Sequence, residues 1–298
     1  MTLIYKRKFG RPGIVHVIND YFSEILPFVK RIKNPLFVPA LITLKTVEFL
    51  IYKFYIPPVR RFYGIRRNEL LYMITKRCTD KCAKCGIWKN PEPDSDRINA
   101  GDIIKCIRDI NANLYQITIT GGEPLLFMED VLNISQEAER YNIPMIVITN
   151  GTLVNEVFLK RYNLNNHFLV FSIDTLDKEK WKGFRGVDNY ELVMKNLNLA
   201  YKILGNKLRI QSVLAKETIN ELPAIQDLCK KLGILHSIQP YMDFGGSWMP
   251  IQDEVHNKVF NTGPCAARKN ICVYPEGDVV KCFDHMKIPL AIEPLGNI

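Results

Sequence analysis

Three cysteines, Cys78, Cys82 and Cys85, fall within eight residues in the stretch TKRCTDKCAKCGIW. Their spacing is Cys-x3-Cys-x2-Cys, with no histidine and no fourth cysteine beside them. Thiols placed this way suit a zinc site, a redox pair with a spare, or three legs of an iron–sulfur cluster. A structural zinc site is closed by four ligands, often supplied as two separated pairs, and a tight trio does not close one. A cubane [4Fe–4S] cluster has four irons, each usually bound by one thiolate. Three thiolates leave one iron open, and an open iron can chelate a small molecule.

A second group, Cys265, Cys272 and Cys282, surrounds the stretch ICVYPEGDVVKC (271–282). Pro275-Glu276-Gly277-Asp278 reads as a turn between two short strands, so a hairpin is expected here within a small second module. Cys282-x2-His285 with Cys265 and Cys272 would also give four N/S ligands for zinc. Cys272 lies in an apolar strand and reads equally well as a core residue, since free cysteine is often buried. Cys106 and Cys229 fall on predicted helices without partners and are read as core.

The elements that must position these residues begin near residue 69. Strand-like runs ELLYMIT (69–75), YQITIT (115–120), MIVITN (145–150), FLVFSID (168–174), LRIQSVL (208–214) and LHSIQP (235–240) alternate with amphipathic stretches such as AGDIIKCIRDINAN, MEDVLNISQEAERYN and ELPAIQDLCKKLG. That alternation predicts a parallel sheet with helical crossovers. Several runs are apolar along nearly their whole length, as in strands covered on both faces. Six βα units are too few for a closed eight-fold barrel and fit an open or partial one, whose chemistry sits at the C-terminal ends of the strands. The first cysteine trio lies just past such an end. No internal repeat or low-complexity tract is present.

The 298 residues carry a formal net charge of +9, with 47% hydrophobic and 24% charged residues, an ordinary globular composition. Residues 1–69 hold thirteen Lys or Arg and four acids, so the excess belongs to the N-terminal extension and the rest balances to zero. Leu41, Leu44, Val47 and Leu50–Ile51 recur there at helical steps. Pro39, Lys45, Glu48 and Lys53 interrupt the apolar run too often for a spanning helix. The extension suits a helix packed on the protein's own surface or an interfacial helix on an anionic membrane. No nucleic-acid motif is found, and no nucleic-acid partner is expected. The sequence start MTLIYKRKFGRPG has no signal-peptide pattern, so the eight cysteines are expected to be reduced, in the cytoplasm or peripheral on the inner face of its membrane.

Placed on this βα pattern, the trio resembles the radical S-adenosylmethionine (radical SAM) superfamily over about residues 69–298. Members carry Cys-x3-Cys-x2-Cys after the first strand of a partial (β/α)6 barrel. Other family motifs match in order: Gly121-Gly122-Glu123-Pro124 after the second strand, Thr149-Asn150-Gly151 after the third, Ser172-Ile173-Asp174 on the fourth, then Arg185-Gly186. Cys265-x11-Gly277-x4-Cys282 and the segment PLGNI (294–298) resemble the SPASM/twitch module found C-terminal to some of these barrels. A full SPASM module continues with further cysteines, so the form here reads as twitch-like or as part of a longer one. The domains expected are a basic extension (1–68), a partial barrel (69–250) and a small auxiliary iron–sulfur module (251–298).

The resemblance implies a [4Fe–4S] cluster on Cys78, Cys82 and Cys85, with S-adenosylmethionine chelated at the open iron. It implies reductive cleavage of that cofactor to methionine and a 5′-deoxyadenosyl radical, which abstracts hydrogen from an unreactive carbon. An electron donor of flavodoxin or ferredoxin type is implied as a partner. The glycines Gly121 and Gly122 would let backbone approach the ligand. Glu123 would help to hold the methionine ammonium, Ser172 the ribose or carboxylate, and Arg185 the carboxylate. Asn150 and Asp174 are further polar contacts, and Ala215 matches a backbone contact to adenine. Cys265, Cys272 and Cys282 would hold an auxiliary cluster. One departure stands out: many members have an aromatic residue before the third cysteine, near the adenine, where this chain has Lys84. That contact would pass to backbone or to Ile87–Trp88. No cobalamin-binding domain is evident. The basic extension suggests a lipid or lipid-linked sugar as substrate. A SPASM-type peptide or protein maturase, and a non-catalytic iron–sulfur or zinc scaffold at a membrane, are the alternatives.

Overall fold

The computed structural model describes residues 68–241, 245–249, 270–280 and 296–297. The chain divides into two compact units. Met1–Arg66 with Thr262–Cys265 form one, which lies outside the described residues, and with it the helix expected in the basic extension. The second unit, Arg67–Asn261 with Ala266–Ile298, holds all the described residues. Cys282 and His285 also lie outside the described residues.

Six parallel strands follow one another in sequence order: β1 (Asn68–Thr75), β2 (Leu114–Gly121), β3 (Met145–Thr149), β4 (His167–Ser172), β5 (Leu208–Leu214) and β6 (Leu235–Pro240). All six strand-like runs of the sequence become strands of this sheet. Each pairs with the next, and helices fill the crossovers: α1 (Ala100–Ile110), α2 (Met128–Arg140), α3 (Glu156–Tyr162), α4 (Lys178–Arg185) and α5 (Tyr190–Leu204) in tandem, and α6 (Leu222–Leu232). Singly wound order puts the helices on one face, as in a barrel, and leaves the other face to the site. β6 is an edge and does not pair back to the far end of the sheet among the described residues, so the sheet is an open, partial barrel.

Local chemistry sets the helix ends. Asn99 caps α1 by accepting from Asp102 N–H, Asp177 caps α4, and Gly233 ends α6 in the left-handed conformation. The period-2 pattern of β1 divides the core. Leu70, Tyr72 and Ile74 join the large helix-side core with Ile117, Val147, Phe158, Phe171 and Trp181. Met73 points the other way, into a smaller cluster with Ile87, Cys272 and Val280.

The hairpin expected around Pro275 is present as β7 (Asn270–Val273) and β8 (Asp278–Val280), with β9 (Gly296–Asn297) antiparallel beyond it. β7 also pairs parallel with β1, from Glu69↔Asn270 to Tyr72↔Val273. Its backbone thereby satisfies the second edge of β1. Cys272 thus stands in the wall of the barrel sheet opposite Leu71. Cys229 is buried in the helix-side core, as expected, and Cys106 is half-buried on α1.

Candidate metal and cofactor site

The loop carrying Cys78, Cys82 and Cys85 leaves the C-terminal end of β1 and is fastened on three sides. From the β2 turn, Gly122 N–H donates to Thr75 O (2.7 Å) and Glu123 N–H to Arg77 O (2.8 Å). From the end of α4, Arg185 O accepts from Lys81 N–H (2.9 Å) and Phe184 O from Ala83 N–H (3.1 Å). From residues 245–249, Ser247 N–H donates to Ala83 O (2.7 Å), and Gly245 bridges to Cys85.

Glycine is required at two of these crossings. A Cβ at Gly122 would lie 1.8 Å from Arg77 O, and one at Gly186, where φ is 71°, would lie 2.4 Å from Lys81 O. The need for Gly122 is therefore already set by the chain's own backbone.

The motif side chains form two buried networks around this loop. In the first, Glu123 is completely buried. Its carboxylate accepts from Leu125 N–H (3.0 Å), Thr149 Oγ1 (2.7 Å) and Asn150 N–H (2.8 Å). Burial pushes its pKa up from 4.5 to about 7, against these three donors. Asn150 in turn donates from Nδ2 to Thr79 Oγ1 (2.8 Å) and to Cys78 Sγ (3.7 Å). Glu123 thus braces the β3 turn, which braces the cysteine loop.

The second network holds two cations and two carboxylates. Arg185 Nη1 reaches Asp80 Oδ2 (3.4 Å) and Cys82 Sγ (3.8 Å), and its guanidinium lies over the Trp181 ring. Asn189 Nδ2 donates to the other oxygen of Asp80 (2.8 Å). Lys84 pairs with buried Asp174, whose Oδ1 accepts from Val213 N–H (2.9 Å). Burial alone would raise the Asp174 carboxyl, but the charges of Lys84 and Arg185 outweigh it and hold the group below the usual range. At Asp80 burial wins over Arg185, and the carboxyl is raised.

The cation at position 84 is thus explained within the chain: it neutralises the buried acid of the Ser-Ile-Asp motif. Lys84 also lies 5.7 Å from the ring of Trp248, which packs edge-on against Phe184. An aromatic side chain therefore reaches this corner from residue 248.

Ser172 is half-buried on the face of β4 away from the helices, beside Gln211 of β5. Ala215 is fully buried; its N–H donates to Thr218 Oγ1 (2.9 Å) and its carbonyl accepts from the turn that follows. Asp80, Asn189 and Trp248 were not picked out by sequence reasoning. Asp80 lies inside the cysteine spacing itself, and Gly245-Gly246 signals the close approach that delivers Trp248, since a Cβ at Gly246 would lie 2.2 Å from Lys84 backbone.

Three thiols and a guanidinium are the donor set that an iron–sulfur cluster with a chelated amino acid would need. Burial pushes the Cys78 thiol up to about 12 and raises those of Cys82 and Cys85, so the thiolates need positive charge brought to them. Among the described residues no three His, Cys, Asp or Glu side chains converge on a single metal ion. A cubane offers each thiolate its own iron, so convergence on one point is not needed. Arg185 Nη2 is buried without a partner, and it is the fork position a carboxylate would fill. The residues fit the group.

The sequence profile of the Radical SAM superfamily matches residues 72–229. The chain belongs to the radical SAM superfamily. As a radical SAM enzyme it uses a [4Fe–4S] cluster and S-adenosylmethionine, and it needs an external electron donor. A probable GTP 3′,8-cyclase of Methanococcus maripaludis (strain C7) is 28% identical over 205 residues, 66% of this chain and 68% of that protein. A second, from Methanocaldococcus jannaschii, is 24% identical over 205 residues, 68% of this chain and 66% of that protein. Against several others the chain spans 59% of their length.

Among solved structures, Streptococcus suis SuiB bound to S-adenosylmethionine superposes with a TM-score of 0.65 at 16% identity, covering 94% of this chain and 75% of that one. A tagged form of anSMEcpe with bound AdoMet gives 0.56 at 17% identity, covering 77% of each. These two likenesses speak to the fold. Among the described residues no helix is long and apolar enough to cross a membrane.

Proposed function

We propose that this radical SAM enzyme binds its cofactor against the cysteine loop and abstracts hydrogen from an anionic, phosphate-bearing substrate at the C-terminal ends of the strands. The observation that carries the cofactor part is the buried, half-satisfied guanidinium of Arg185 beside Cys82. Cys78, Cys82 and Cys85 would hold the cluster. Arg185 Nη2 would take the cofactor's carboxylate, with Ser172 and the Gly121-Gly122 turn beside it. Asn150, Glu123 and Asp174 hold the surrounding backbone. When bound, the cluster and cofactor supply a 5′-deoxyadenosyl radical. The protein's share is to orient the pair and exclude water.

The substrate carries two readings. The thirteen cations of residues 1–69 favour a lipid or lipid-linked sugar at an anionic membrane surface, approached by the inner-face extension. The relatives named GTP 3′,8-cyclase favour a nucleoside triphosphate. An auxiliary cluster on Cys265, Cys272 and Cys282, and a flavodoxin- or ferredoxin-type electron donor, complete the proposal.

The test is anaerobic reconstitution with iron and sulfide, reduction, and detection of 5′-deoxyadenosine. An intact cluster with bound S-adenosylmethionine and no product would remove the enzyme reading. Product stimulated by GTP supports the nucleotide, and product stimulated by lipid-linked sugar in anionic vesicles supports the lipid. Flotation on those vesicles with and without residues 1–60 separates the two further, since equal flotation removes the membrane role of the extension.

A further inference from the structure

The sulfurs of the cysteine loop receive hydrogen bonds from side chains that lie outside the loop. Asn150 Nδ2, from the end of β3, is 3.7 Å from Cys78 Sγ, and Arg185 Nη1, from the end of α4, is 3.8 Å from Cys82 Sγ. We propose that Asn150 and Arg185 are positioning residues that set the reduction potential of the cluster, by donating N–H groups to the sulfurs of Cys78 and Cys82. The proposal rests on the cluster assignment above and adds to it a role for two residues that do not ligate iron.

Both donors are held so that they cannot turn away. Asn150 Oδ1 accepts from Thr152 N–H (3.0 Å) and Thr152 Oγ1 (2.7 Å), which fixes the amide the right way round and directs Nδ2 at the loop. Its own N–H is taken by Glu123. Arg185 lies over Trp181 and shares Nη1 with Asp80, which Asn189 clamps from its other side.

With the cluster bound, an electron from the external donor would add negative charge spread over its sulfurs. Donors aimed at those sulfurs stabilise the reduced form more than the oxidised form and so raise the potential. Low polarity around buried groups enlarges the effect. Arg185 brings a full charge where Asn150 brings a dipole, so Arg185 has the larger share.

The experiment is a reductive titration of the reconstituted full chain, without S-adenosylmethionine, followed by electron paramagnetic resonance and absorbance. Iron and sulfide are assayed first. Asn150→Asp keeps the oxygen that Thr152 needs and removes the donor. Arg185→Gln removes charge and fork, while Arg185→Lys keeps the charge that Asp80 needs.

At the potential where the native protein is half reduced, Arg185→Gln is expected to shift the oxidised-to-reduced ratio about tenfold or more toward oxidised, which is about 59 mV for one electron. Asn150→Asp shifts the same way, and Arg185→Lys less than Arg185→Gln. Lys202→Gln, on the outer side of α5, leaves the ratio unchanged. Fully loaded Arg185→Lys and Asn150→Asp proteins with the native ratio would overturn the proposal. A native chain that takes up no cluster would instead overturn the cluster assignment itself.

Discussion

Cys82 and Cys229 are both buried thiols, 8% and 2% exposed, yet they sit in opposite surroundings. Cys229 is on α6 among Leu, Ile and Val of the helix-side core, and burial pushes its thiol up to about 11. Cys82 has a guanidinium at its sulfur, a carboxylate behind that guanidinium, and a second ion pair close by. Burying such ions costs several kcal/mol apiece before their attraction is counted. An apolar loop would be cheaper to fold. Two thiols of similar depth thus differ in their surroundings, one apolar and one held in a buried charge lattice, and it is the second that the proposed cluster would use. Cys272 falls between the two: it lies in a strand among Met73, Ile87 and Val280, and Cys85 packs against the same cluster.

The largest difference is expected between Cys82→Ala and Cys229→Ala. The first is expected to abolish formation of the [4Fe–4S] cluster and of 5′-deoxyadenosine. The second deletes one buried heavy atom, costs about 1 kcal/mol of stability, and leaves iron content alone. Equal iron content in the two proteins would sink the assignment.

Next in size, Arg185→Met leaves Asp80 buried without its cation and should cost about 3–5 kcal/mol in denaturant unfolding, whereas Arg185→Lys should recover most of it. A cost below about 1 kcal/mol would mean the lattice is not structural.

Glu123 tests the first network, the one that braces the β3 turn, by pH. Its folded pKa of about 7 lies above the ordinary 4.5, so the folded state holds the proton more tightly. The stabilisation is full below about pH 4.5 and is lost as pH rises through 7, about 3 kcal/mol in all. Glu123→Gln should flatten that slope in a series of unfolding curves, and an unchanged slope counts against the assignment.

Cys272, between the two in its surroundings, gives a smaller effect. Cys272→Ala should cost about 1 kcal/mol, as for Cys229. It should also lower total iron if Cys272 serves the auxiliary cluster. Unchanged iron would leave it a wall residue.

Much of this was legible in the residues. The six parallel strands announce themselves because strands buried on both faces must be apolar along their length. The motif Gly-Gly-Glu-Pro and its companions fall at strand ends because the barrel gathers those ends. What the sequence hid was pairing over distance. The turn at Pro275 foretells a hairpin, but nothing local says that β7 will lie parallel to β1. Asp80, Asn189 and Trp248 act through partners scores of residues away, so no periodicity points to them. Lys84 looked like a mismatch because its acid, Asp174, is ninety residues downstream.

The backbone crossings of the cysteine loop also carry a timetable. The loop is synthesised early, but Ala83 waits for Phe184 and then for Ser247, 164 residues later. At roughly 5–20 residues per second that wait is roughly 8 to 33 seconds of translation. Through that interval the three thiols hang on an unfinished scaffold, reachable by oxidants and stray metals. The full set of backbone hydrogen bonds that fastens the loop therefore exists only once residue 247 is available to fold against it.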